Sequence, residues 1–418
     1  MTRNAMTVAP ATPTGTQQPS TPASDIRILA VLCLAMFLAV INFAALAPFL
    51  PRVAGDLHTT IPLLGQVTTA VTLLSALRGL AIGPLADRYG PRRLVIGGIV
   101  AVAINLAGTG IAPSYGVLLT LAVVGGLGDA VLFGLPLALA SSHFSGESQR
   151  RAIAWTSAAL PLGTVAGVPL LTAIGGLVGW RPIFVATGVA TLGAAWLATC
   201  WLPADSPRAT RSHVPALLAA YRPVLADRSL TALYAVSGLR AVCWIGLLTY
   251  LGAFLTRERG LGSTGVAVAY LAAGGGVLIG TLAAATRLRR IPPRPLVAIT
   301  TAAQGLLLTA LFVLPLGVPT TLILLTPAAL TGAVAFVGVA TLLAAETTAG
   351  AGTTMVLNGS IFNLGSALGA ALGGLLLAIG GFTALGLGLP LFALAASLVA
   401  WMSHQTPTPS RPNAAPPR

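Results

Sequence analysis

Apolar residues in this chain do not alternate with polar ones. They run together for about twenty positions at a time, with short polar stretches between the runs. The runs fall near 28–49, 61–83, 94–112, 116–140, 153–177 and 182–202, and again near 229–255, 263–286, 296–314, 320–344, 354–378 and 383–402. Roughly 20 apolar residues in a helix cross the hydrocarbon core of a bilayer, whereas a barrel strand needs only about 10 and alternates in polarity. The pattern therefore predicts twelve membrane-spanning helices. The one long internal polar stretch, residues 203–228, divides them six and six. Residues 1–24 and 403–418 are rich in Pro, Thr and Ala, lack an apolar core and read as disordered tails. The predicted organisation is a tail (1–24), a six-helix bundle (25–202), a linker (203–228), a second six-helix bundle (229–402) and a tail (403–418).

Composition agrees with that pattern. The 418 residues are 56% hydrophobic and 8% charged, with a mean hydropathy of +0.89, too few charges to cover a soluble surface. The expected class is an all-α integral membrane protein surrounded by lipid and acting as a monomer. A net charge of +14 invites nucleic acid as a partner, but the arginines sit in short turns between apolar runs, where membrane topology accounts for them. No nucleic acid partner is expected. Most of those turns lie on the side of both termini, and only Arg52, Arg181, Arg257 and Arg259 lie on the other. The excess of positive charge on the cytoplasmic side then predicts that both termini are inside the cell membrane. All basic residues are Arg, so the phosphate-binding loop that requires Lys is excluded. Cys33, Cys200 and Cys243 fall in apolar runs without metal-ligand spacing, and neither metal nor cofactor is expected. Nine acidic residues with no paired motif argue against an intramembrane enzyme working on a metal pyrophosphate.

The halves repeat. Gly83-Pro-Leu-Ala followed by Arg92-Arg93-Leu94 has an echo in Gly280-Thr-Leu-Ala followed by Arg289-Arg290-Ile291. Leu162-Gly163, Gly167 and Gly179-Trp180 recur as Leu364-Gly365, Gly369 and Gly381-Phe382. A parallel repeat of two bundles suits alternating access by rocking, with a substrate site near the midplane between them.

The turn after span two reads Gly83-Pro-Leu-Ala-Asp87-Arg88-Tyr-Gly90-Pro-Arg92-Arg93. It resembles the signature loop of the major facilitator superfamily, G-x-L-A-D-R-x-G-R-R. The resemblance implies two pseudo-symmetric six-helix bundles and secondary transport of a small molecule. It also implies a gate on the cytoplasmic side, with Asp87 as its latch against the other half. Gly90 is suited to a positive φ, and Arg88, Arg92 and Arg93 to the anionic inner leaflet. Span five carries Gly163, Gly167 and Pro169, which resemble the Gly/Pro-rich helix of the drug:proton antiporter branch; close packing through small residues explains the same pattern without export. The branch implies proton-coupled efflux of lipophilic or amphipathic compounds, with an importer or exchanger of a metabolite as the alternative.

Charges within the spans are few. Asp129 is the one acid deep in any span, and an unpaired charge there costs about 2.5 to 3.5 kcal/mol on insertion scales. It is a candidate for proton coupling or substrate contact, with Arg240 across the halves or Arg78 within the first half as its partner. Ala122 stands where the antiporter pattern has Arg. Asn42, Trp244, Asn358 and Asn363 are candidate cavity residues, and His143 is expected to be a solvated loop residue.

Overall fold

The computed structural model describes residues 22–79, 81–205, 227–347 and 351–405, and among these every regular element is helical. A backbone in hydrocarbon must satisfy its own amides and carbonyls, so long apolar runs become helices. In the first half, α1 (Pro22–Ala44) passes through a 3-10 turn (Ala47–Phe49) into α2 (Leu50–Asp56). Pro48 and Pro51, which lack the amide a continuous helix needs, mark that interruption. Then follow α3 (Ile61–Gly79), the short α4 (Ile82–Tyr89), α5 (Pro91–Ile111), α6 (Tyr115–Leu132), α7 (Leu135–His143), α8 (Gly146–Leu162), α9 (Val168–Val178) and α10 (Trp180–Trp201). The second half has α11 (Arg228–Arg257), α12 (Ser263–Ala285), α13 (Pro293–Val313) and α14 (Val318–Glu346). Its last helical stretch, Ala351–Gln405, bends at Gly380 and Gly381 into α15 (351–379) and α16 (382–405).

Eleven stretches are long and apolar enough to cross a membrane, and the bend makes them twelve. They stand where the apolar runs predict them, with ends shifted by several residues. Spans four and five are each broken midway, at Phe133–Gly134 and at Gly163–Gly167, which the runs alone do not show.

Packing obeys a two-fold exchange of the halves. Helix α5 packs on α10, α3 on α6 and α1 on α8; correspondingly, α13 packs on α16, α12 on α14 and α11 on α15. Between the halves, α3 lies along α15, and the fifth span lies along α12. Swapping the halves interchanges those two contacts, as an isologous interface requires. One apolar core, including Phe49, Phe184, Tyr250, Phe254 and Phe312, runs through both halves. A separate core built from Leu230, Leu233, Val297, Leu343, Leu357 and Ala396 belongs to the second half alone. It lies toward the end that carries the Gly90 turn. The halves are thus fused through a common core at the opposite end.

Candidate functional site

Glycines bring α6 against its neighbours. A Cβ on Gly126 would lie 2.6 Å from the carbonyl of Val71, and one on Gly128 would lie 2.7 Å from the carbonyl of Gly98. That packing places Asp129 among α1, α3 and α5 at 1% exposure. Asn105 donates to the Asn42 side-chain oxygen at 2.7 Å, and Asn42 donates to the Gly125 carbonyl at 3.4 Å. Asn42 is within polar reach of the Asp129 carboxyl, yet neither carboxyl oxygen has a well-formed hydrogen bond. A carboxyl whose oxygens lack well-formed hydrogen bonds in an apolar bundle is costly to hold as an ion.

Neither arginine offered as its partner pairs with Asp129. Arg240, 4% exposed on α11, turns into its own half and donates to the Gly332 carbonyl of α14 at 2.5 Å, while its Nε has no partner. Arg78, in the last turn of α3, is exposed and makes no ion pair among the described residues. Burial within separate bundles, each closing around its own first and fourth spans, keeps the two buried charges apart. The polar residues nearest this packing are the amides Asn42 and Asn105.

Asn363 of α15 donates to the Ser75 hydroxyl of α3 at 3.3 Å, a polar contact between the halves. Asn358 and Ser360 are buried with Oδ1 and Oγ unpartnered. Trp244 is half-buried against the core. His143 is exposed, as expected, but it ends α7 rather than standing in a loop, and its Nε2 lies 3.6 Å from Asp25, at the start of α1.

Span five resolves into a packing seam. Pro169 withholds an amide, and the preceding turn widens to π geometry over Gly163–Gly167, with the Val168 amide reaching the Gly163 carbonyl. A Cβ on Gly163 would lie 2.8 Å from that of Val40, and one on Gly167 would lie 2.5 Å from Ile41. The outward side of the same turn meets α12 of the other half, where a Cβ on Gly274 would lie 2.6 Å from the Val165 Cα.

At the signature turn, Gly90 has φ +86 and ψ 138, and a Cβ there would strike the Asp205 carboxylate. Asp205 accepts from the Arg92 amide at 2.9 Å and from the Arg93 amide at 3.4 Å, capping α5. The Arg92 guanidinium donates to the Thr199 carbonyl near the end of α10. Arg88 is exposed and lies over the Tyr89 ring. Asp205, read from sequence as a linker residue, therefore holds this turn. Of Gly83 and Asp87 only the helical course of the backbone in α4 is described.

The structure also moves the repeat. Helices α5 and α13 begin at Pro91 and Pro293, so the counterpart of Arg92 is Arg294 rather than Arg289. Arg294 donates to the Ser403 carbonyl near the end of α16, as Arg92 does near the end of α10. It also pairs with Glu346 at 2.6 Å and donates to Ser229, which tie the ends of α14 and α11 into the same clasp. Extra residues in the second loop broke the sequence register there.

Comparison with known proteins agrees with this architecture. A family model described as the Major Facilitator Superfamily matches residues 32–350. A chloramphenicol resistance protein of Streptomyces lividans is 29% identical over 252 residues, which are 60% of this chain and 64% of that one, just under two thirds of the relative. The transcription regulatory protein OpdE of Pseudomonas aeruginosa is 28% identical over 87% of this chain and 90% of its own. A probable L-galactonate transporter of Escherichia coli is 25% identical over 65% of this chain and 64% of its own. The solved structure of a bacterial homologue of the human lysosomal transporter Spinster, inward-facing and unoccupied, gives a TM-score of 0.71 at 18% identity, over 92% of this chain and 96% of that one. At that identity the likeness concerns the fold.

Proposed function

Because the chain belongs to the major facilitator superfamily and is thus a membrane transporter rather than an enzyme, we propose that it exports small lipophilic or amphipathic compounds in exchange for protons by alternating access. The observation that carries the reading is Asp129, buried in the first bundle with both carboxyl oxygens unsatisfied. In this conformation the acid holds its proton. Hydration of the site when the halves rock lets it ionise, so one proton is taken up and released per cycle. The basic turns support a cytoplasmic Gly90 end in a cell-membrane protein with both termini inside. The shared core then closes the outer face, and the cycle proceeds by parting that core. Asp87 is assigned a latch role at the cytoplasmic face. Likeness to a chloramphenicol resistance protein supports export; likeness to a probable L-galactonate transporter supports the second reading, uptake or exchange of a metabolite.

Everted vesicles expressing the chain are to be acidified inside and given a panel of lipophilic compounds, with Asp129→Asn alongside. Gradient-driven accumulation is expected, with at least a tenfold loss in Asp129→Asn and retained membrane insertion. Undiminished accumulation in the variant refutes the coupling role. Uptake by whole cells with none by everted vesicles assigns the metabolite reading instead.

A further inference from the structure

Counted from the start of each helix, Asp129 in α6 and Gly332 in α14 occupy the same position, since α6 begins at Tyr115 and α14 at Val318. In the first half an α1 side chain crosses to α6 near that level, as Asn42 donates to Gly125. In the second half an α11 side chain makes the matching crossing to α14, as Arg240 donates to Gly332 itself. An amide from the third span stands beside each crossing: Asn105 would meet a Cβ on Gly125, and Gln304 would meet one on Gly332. The two crossings are built alike and hold ionisable groups of opposite kind. Asp129 is the acid of one, and Arg240 is the base of the other.

The acid can shed its charge by taking a proton, but a guanidinium cannot. The acceptor that the structure gives Arg240 is a neutral carbonyl, its Nε is buried without a partner, and no ion pair among the described residues includes it. A planar fork of donors with free N–H groups matches the two oxygens of a carboxylate.

Resting on the transporter reading above, we infer that Arg240 receives an anionic carboxylate group of the transported compound. The substrates are then lipophilic organic acids, held at the second half's crossing while Asp129 carries the proton at the first. Gly332, with no side chain, lets the Gln304 amide close in on the crossing, since a Cβ there would strike the Gln304 side-chain nitrogen. The proton and the substrate anion thus occupy equivalent places in the two bundles.

The test uses the full chain in lipid nanodiscs and three probes: 1-naphthoate, its neutral analogue 1-naphthamide, and chloride. Naphthoate is expected to raise the melting temperature saturably by several degrees, with naphthamide and chloride each giving less than a third of that rise. Arg240→Gln is expected to lose the naphthoate response and Arg240→Lys to keep a weakened one. An equal response to the amide overturns the inference, as does a naphthoate response that survives in Arg240→Gln. An equal response to chloride overturns the carboxylate assignment in favour of an inorganic anion. Should Arg240→Gln fail to fold, the acid and amide compared on the unaltered chain still decide. A naphthoate response that depends on Arg240, without proton-driven flux in the vesicle assay, leaves this inference standing and removes the coupling reading.

Discussion

Asp205 caps α5 with two amide bonds, and Gly90 turns the chain so that those amides face the carboxylate. Removing such a cap costs about 1 kcal/mol. Asp205→Ala is therefore expected to lower the melting temperature of the purified protein, and Asp205→Asn to lower it less. Gly90→Ala combines a strained φ with a collision against Asp205, so a larger loss is expected, on the order of 1 to 3 kcal/mol. A melting curve of Gly90→Ala that matches the unaltered protein would refute the close approach. Asp129 was legible as an exception, the one acid in an apolar run. Its lack of an ion partner was not, because the reach of Arg240 depends on which way α11 faces.

Among the elements, span five shows most clearly how one proline and its glycines shape a helix. Pro169 withholds one amide, the turn before it widens, and the widened turn lies against α1 on one side and α12 on the other. Gly274→Leu would insert a side chain where the α12 backbone meets Val165, and about 1 to 3 kcal/mol of overpacking is expected at that contact. The expected outcome is a protein that still inserts but transports at least tenfold more slowly, read in vesicle flux; unchanged flux would remove this seam from the moving interface. The clasp of Arg294 with Glu346, Ser229 and Ser403 joins the ends of four helices. Glu346→Gln leaves a half-buried guanidinium without its counter-charge, and a loss of about 1 to 3 kcal/mol is expected in a melting experiment. The apolar runs foretold these helices because burial in lipid demands length and hydrophobicity. They did not foretell the breaks at Gly134 and Gly163–Gly167, because a break costs little where neighbouring helices re-satisfy the freed backbone groups.

For the whole molecule, the two halves share a core at one end, and alternating access requires that end to part. A Cβ on Gly176 would stand 2.5 Å from the Cβ of Ser263 across the halves, close to the separation a disulfide spans once the backbone yields by about 1 Å. In a chain with Cys33, Cys200 and Cys243 replaced by Ala, the pair Gly176→Cys with Ser263→Cys is expected to crosslink on oxidation and stop flux, with recovery on reduction. Full flux from the crosslinked form would rule out rocking about this contact. The sequence by itself determined the number of spans, their grouping into two bundles and the turn that identifies the family, because each follows from local hydrophobicity, charge and spacing. It also marked Asp129, Arg240 and Gly90 as exceptions to their surroundings. Only the tertiary structure decided that Asp205 holds the signature turn, that Arg294 is the true counterpart of Arg92, and that Asp129 and Arg240, each in its own bundle, do not pair. Those facts depend on which faces of distant helices meet, and small residues far apart in the chain set that geometry through close approach.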